Sequence, residues 1–359
     1  KAGMPHIRPD AVDWVPIDSE VLKRVYDDLV MEAGVQVLFH TVLSAVETEN
    51  GAVRTLLVTN KRGLTAYRAH VYVDATGDAD LVAFAGAAFE VGGKDHEVQP
   101  ASHCFTMSNV DMYQYPLDPV LHAENKQSPV YEMARSEKYP LIRDTHLCNS
   151  IIGAGTVGFN AGHLWNVDST DPFSVSAAMM EGRKIAASFE AALHEYAPAF
   201  RNAHLVNTAP LMGIRESRRI VGDYTLTLED YLSRRTFSDE ICRNSYYIDI
   251  HATLDQVSAK NAGTFDQDKA DMRYQKGESH GIPYRCLTPH DLQNVLVAGR
   301  SISCDHAIQA SVRVMPVCLA MGEAAGIAAS MAAKAAGNVH TVDVPSLRNT
   351  LRGYGAYID

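Results

Sequence analysis

The chain has 359 residues, 46% of them hydrophobic and 21% charged, with a formal net charge of −11. That length exceeds what one hydrophobic core usually spans, so two domains are expected. The acidic balance argues against a nucleic-acid or anionic-membrane partner. Six cysteines are scattered with no C-x-x-C spacing, which excludes the usual zinc and iron–sulfur frameworks, so no metal is expected. Such thiols fit a reducing compartment, which makes the cytoplasm the expected location. No basic segment followed by an apolar run opens the sequence, so no signal peptide is expected.

In chain order, "IDSEVLKRVYDDLVMEAG" predicts a helix capped by Asp18 or Ser19, with Val21, Leu22, Val25, Leu29 and Val30 on one face and Gly34 ending it. "VQVLF" reads as a buried strand. "VLSAVETE" and "AVRTLLVTN" flank Asn50-Gly51, the signature of a two-residue type I′ hairpin. A third strand, "TAYRAHVYV", follows Gly63 and runs into Ala75-Thr76-Gly77-Asp78. Residues 91–145 read as mixed strands and loops. "DPFSVSAAMMEGRKIAASFEAALHEYA" predicts a long helix capped at Asp171 or Ser174. "ESRRIVGDYTLTLEDYL" and "SYYIDIH" read as strand-rich, and residues 254–282 as a polar loop. "NVLVAG" then reads as a buried strand. "MPVCLAMGEAAGIAASMAAKAAG" reads as a helix with Pro316 in its first turn. This last stretch is the most apolar of the chain, but Glu323 and Lys334 mark it as a buried helix rather than a membrane span.

Gly153, Gly155 and Gly158 spell G-x-G-x-x-G in "IIGAGTVGFN". A dinucleotide fingerprint needs a helix to start inside it. The following "FNAGHLWNVDSTDP" is a run of turn formers, so no helix N-terminus is there to hold a phosphate. These glycines read instead as part of a thinned strand, with Asn160 and His163 nearby. The C-terminal stretch has the better architecture. A strand over residues 295–298 ends in Gly299-Arg300, and a loop leads to a helix whose Gly322, Ala325 and Gly326 would let it lie close to a sheet. Its N-terminus and the charges of Arg300 and Arg313 suit a pyrophosphate or the electron-rich edge of a reduced flavin. A packed helix with two surface arginines is the alternative.

Three blocks resemble the FAD-dependent oxidoreductases of the glutathione-reductase-like class, a family related to the flavoprotein subunit of heterodisulfide reductases. They are "VYVDATGDADLVAFAGAAFEVGG", "GIRESRRIVGDYTLT" with "SYYIDIH" after it, and "NVLVAGRSIS…SVRVMPVCLAMGEAAG". The resemblance implies an α/β fold: the remainder of a Rossmann-like FAD-binding domain over residues 1–90 and 284–345, with a β-rich (α+β) substrate or cap domain inserted over 91–283. In the family a βαβ unit bearing the true G-x-G-x-x-G comes first. Nothing ahead of residue 16 reads as one, so the sequence reads as lacking that unit and the adenosine contacts it supplies.

By the same resemblance, Thr76, Gly77 and Asp78 lie toward the adenosine end of FAD, and Gly299 and Arg300 along the ribitol and pyrophosphate. Val314 and Met315 open the turn whose N–H groups face the flavin O2/N1 edge, and Ser311 belongs to the same set. Arg215 and Arg218 are expected near the substrate, where they would hold a carboxylate or stabilise reduced flavin; an ion-pair network with Glu216 and Asp223 is the alternative. Asp249 and His251 alternate on a presumed strand and would form a carboxylate–imidazole base. His306 is a second candidate for proton transfer and His163 a third, and a structural role is open for each. The expected reaction is hydride transfer between a small polar substrate and flavin N5. Two other readings stay open: an electron-transfer subunit working with an iron–sulfur redox partner, and a non-enzymatic fragment that cannot hold FAD alone. A homodimer is also compatible with the sequence.

Overall fold

The structure is a computed structural model and describes residues 16–93, 96–252 and 273–358. Its contacts group residues 16–38 with Pro100–Ile214 in one compact unit, and Phe39–Gln99 with residues 215–358 in a second. Most of the polar loop expected over residues 254–282 lies outside the described residues.

The first helix, α1 (Ser19–Glu32), starts where expected, with the Asp18 carboxylate accepting the Glu20 and Val21 N–H groups. Its apolar stripe exists but is uncovered: Val21, Val25 and Leu29 are exposed. Residues 35–39 do not form the expected buried strand. Val35, Val37, Leu38 and Phe39 are exposed, and among the described residues no strand lies beside them to complete a ladder.

The antiparallel meander is present as β1 (Val42–Glu49), β2 (Ala52–Asn60) and β3 (Gly63–Tyr67). Asn50 (φ 51°) and Gly51 (φ 73°) both adopt the left-handed conformation that a type I′ turn requires. The third strand does not continue to residue 73. The chain leaves the meander after Tyr67 and re-forms as β4 (Tyr72–Asp74), in a different sheet. Helix α2 (Asp80–Phe84) and β5 (Phe89–Val91) follow.

The unit built on Pro100–Ile214 holds β6 (Phe105–Ser108), a short α3 (Val130–Arg135), β7 (Leu147–Gly153), β8 (Thr156–Ala161), α4 (Pro172–Tyr196) and β9 (His204–Thr208). The strands form one antiparallel sheet in the order β7-β8-β6-β9. Asp171 caps α4, which brings Phe189 and Leu193 into a core with Phe105, Met107, Phe159 and Phe200. The rings of Phe105 and Phe159 stack at 4.8 Å. The G-x-G-x-x-G glycines make a hairpin. Gly153 ends β7, Gly155 turns at φ +62°, and Gly158 sits on β8 beneath Ile152. No phosphate-binding helix follows, as their context predicted.

In the second unit β10 (Arg218–Ile220) pairs antiparallel with β5. The rest of "ESRRIVGDYTLTLEDYL" is not strand. Thr227 and Asp230 complete a reciprocal capping box and start helix α5 (Leu228–Leu232). Strand β11 (Glu240–Asn244) pairs antiparallel with β12 (His280–Pro283), and residues 245–251, "SYYIDIH", form no strand. Residues 215–252 and 273–283, expected in the inserted domain, therefore pack with the meander-bearing unit.

Strand β13 (Val295–Val297) pairs in parallel with β4, Val295 opposite Tyr72 and Val297 opposite Asp74. The stretch after β13 is not only loop, because Asp305 caps a further helix, α6 (His306–Val312). Then come α7 (Met315–Lys334) and α8 (Val344–Gly353). By length and hydropathy α7 could cross a membrane. It packs on β4, β11 and β13 with Val317, Met321, Ala324, Ala325 and Ala328 buried. Gly322 and Gly326 are not its close-approach points, since a side chain at either would meet nothing within 4 Å.

Candidate active site

The parallel β4–β13 pair brings two chain segments to one edge. Beyond β4 the Asp74 carboxylate accepts the Thr76 N–H and hydroxyl, and Val82 N–H as well, which pins the turn. Gly77 lies at φ +82°, where a Cβ would fall 2.4 Å from Arg300 Nη1. The Arg300 guanidinium thus lies against the glycine and donates to the Asp78 carboxylate at 2.8 Å. The same carboxylate accepts the Ser217 hydroxyl, and Arg218 donates to the Asp78 carbonyl at 3.2 Å and to Asp80 at 2.9 Å. Thr76, Gly77, Asp78, Arg218 and Gly299-Arg300 therefore meet.

Arg218 is not tied to Glu216 or Asp223. Asp223 is held by His340, His290 and Thr288. Glu216 belongs to Arg219, a residue the sequence did not single out. Arg219 donates to Glu216 at 2.6 Å and to the Cys304 and Gly92 carbonyls, with both side chains buried. Glu216 also accepts the Gln99 N–H and the Nδ1 of His306, at 2.8 Å. His306 keeps 32% of its side-chain surface, and with Nδ1 on a buried, charge-balanced carboxylate, Nε2 is the ring nitrogen outside that bond. Arg215 is buried, and its carbonyl accepts the Gln309 amide, whose oxygen accepts from Gln99.

The remaining candidates divide. His251 does meet Asp249, at 3.4 Å, though not on a strand. Burial works to raise the Asp249 pKa, but His251, Arg313 and the Tyr246 hydroxyl outweigh it and hold the group at about 2. Ser311, expected in the cofactor set, spends its hydroxyl on bonds within the protein. It donates to the Tyr246 carbonyl and accepts the Asn244 amide, so it anchors residues 244–246 to α6. His163 belongs to the other unit and leans its Nδ1 on Asp144 at 2.5 Å, stacked on His146. Burial pushes the Cys242 thiol up to about 12 and Cys318 to about 11, and those of Cys286 and Cys304 also rise, which leaves these four without thiolate reactivity.

The residues present fit an acceptor-rich group. Arg300 Nε and Ser301 Oγ are buried with no partner. Gly299 turns at φ +106° with open space where a Cβ would stand. Val314 gives α7 no side-chain cap, and the first intrahelical bond is Cys318 N–H to the Val314 carbonyl, so the Met315 and Val317 N–H groups are left over. Unmet donors at a glycine turn and a helix N-terminus are what a phosphate-bearing, carbonyl-rich cofactor satisfies.

An α/β flavoprotein is the class these features define. The FAD dependent oxidoreductase family matches over residues 2–351, and the chain belongs to it, with FAD as the cofactor that goes with membership. No curated protein matches the chain. Among solved structures it is similar to a geranylgeranyl bacteriochlorophyll reductase-like protein from Thermoplasma acidophilum (11% identity, 93% of this chain and 58% of that one, TM-score 0.40). Others are L-proline dehydrogenase from P. horikoshii (12%, 92% and 59%, 0.34) and p-nitrophenol 4-monooxygenase from Pseudomonas putida (8%, 94% and 55%, 0.38). The chain spans less than two thirds of the length of these structures.

Proposed function

We propose that this chain serves a two-electron oxidation of a small hydroxy or amino substrate, with His306 as the group that takes the substrate proton. FAD, when bound, supplies the hydride acceptor at N5. The substrate then loses a hydride from carbon and a proton from its hydroxyl or amine, leaving a carbonyl or imine. The observation that supports this reading is the Glu216–His306 pair. Glu216 fixes Nδ1 as the donor to the carboxylate and so leaves Nε2 as the proton acceptor. Arg219 balances the buried charge, which keeps the carboxylate from drawing the proton away. Arg300, Ser301 and the α7 N-terminus would hold the cofactor, and Arg218 keeps the Asp78 turn in place from beside it.

The test has two stages. The full chain is incubated with FAD, desalted and scanned for the flavin visible band, which Arg300→Met should diminish. Flavin bleaching by a panel of hydroxy and amino acids is then followed against pH. His306→Gln should remove the acid limb of the rate profile with the FAD band intact. An unchanged profile in that variant would exclude His306 from the proton step.

A further inference from the structure

We propose that Asp249 and Arg313 form a redox-tuning pair, in which the guanidinium favours reduced FAD and the carboxylate set against it holds that preference down. The proposal rests on the FAD reading above and adds to it which groups set the potential.

Arg313 stands at a junction. It is the C-cap of α6 and the residue just before Val314, the N-cap of α7. Its charge is felt in that helix's uncapped first turn, where it works against burial to lower the Cys318 pKa; the cofactor reading assigns this turn to the flavin's acceptor edge, where negative charge grows on reduction. One guanidinium nitrogen, Nη2, donates to the Asp249 carbonyl at 3.0 Å and lies 3.4 Å from its carboxylate. Nε is buried and donates to nothing, so it still needs an acceptor.

Asp249 is ionised at neutral pH, with Tyr246 and His251 also turned toward it. Its carboxylate is not what ties this segment down. The Asn244 amide to Ser311, the Ser311 hydroxyl to the Tyr246 carbonyl and Arg313 to the Asp249 backbone carbonyl already do so. Replacing the carboxylate by an amide leaves all three bonds in place. What it removes is a negative charge against a cation, and that is an electrostatic change.

The measurement is the midpoint potential of FAD bound to the full chain, by dye-equilibrated reduction, which needs no substrate. Asp249→Asn should raise the affinity for reduced over oxidised FAD about tenfold, a positive shift of about 30 mV for a two-electron couple. Arg313→Gln should shift it the other way by a similar factor, and because the two charges act on the flavin additively, the double variant should lie near wild type. Arg313→Lys, which keeps the charge, serves if the glutamine variant does not fold, and should lie between wild type and Arg313→Gln. Asn244→Ala loosens the same segment without touching charge and should leave the potential where it is. An unchanged or lower potential in Asp249→Asn overturns the proposal. So does a potential in Arg313→Gln at or above that of wild type, since the guanidinium would then not favour reduced FAD. Both of those results leave the FAD reading standing, whereas a chain that retains no flavin refutes that reading and this one with it.

Discussion

Gly77→Ala is the sharpest single test of how the site is held. At φ +82° an L-residue costs roughly 1–2 kcal/mol of backbone strain. The new Cβ would lie 2.4, 2.7 and 2.9 Å from three guanidinium atoms of Arg300, so the arginine must move off Asp78. That charged hydrogen bond is worth about 1.5–3 kcal/mol, toward the lower end here because Arg300 and Asp78 keep 25% and 19% of their side-chain surface. The expected loss is about 3 kcal/mol, read from the urea midpoint at unchanged slope. In an Arg300→Met background only the backbone strain remains, so the same substitution should cost about 1–2 kcal/mol there, leaving a coupling of about 1.5 kcal/mol. Equal costs in both backgrounds would show that Arg300 does not pack on the glycine, and the account of the turn would fall with it.

Glu216→Gln strands the Arg219 guanidinium in a buried site and should cost about 3 kcal/mol or more in urea; a near-neutral result would mean that the pair is not closed from water. Gly182→Ala should destabilise by about 1–2 kcal/mol despite the gain in helix propensity, because its Cβ would fall 2.5 Å from that of His103, which the backbone fixes. A stabilised variant would contradict that contact. Asp249 has a folded pKa below its unfolded one, so its contribution is complete above the ordinary value of 3.8 and is lost as pH falls toward about 2. Stability measured across that window should fall by about 2 kcal/mol less in Asp249→Asn than in wild type.

Local signals carried most of the fold. The Asp18 and Asp171 caps, the Asn50-Gly51 turn and the Pro316 helix start each rest on residues within one turn of each other, and each stands where it was read. What failed needed a distant partner. "VQVLF" has a strand's composition but no neighbouring strand among the described residues. "SYYIDIH" alternates like a strand, yet its polar groups bond to α6 and Arg313 instead of a ladder. In the site, "RESRR" drew attention to Arg215 and Arg218. A strand begins at Arg218, so side chains alternate from there, and Arg219 goes inward to Glu216 while Arg218 goes to Asp80. Reading β10 with its period of two would have found Arg219. Nothing local points to Gln99 or to the His306–Glu216 contact, which spans 90 residues.

The β4–β13 pairing also sets an order of events during synthesis. Asp78 and Arg300 are 222 residues apart. At ~5–20 residues per second a ribosome needs on the order of 10–40 s to make what separates them. Throughout that interval the β4 edge has no parallel partner, while Pro100–Ile214, a unit with its own sheet and core, is completed in between. The cofactor corner is thus formed late in translation, closed by a strand and helices that emerge only after that unit.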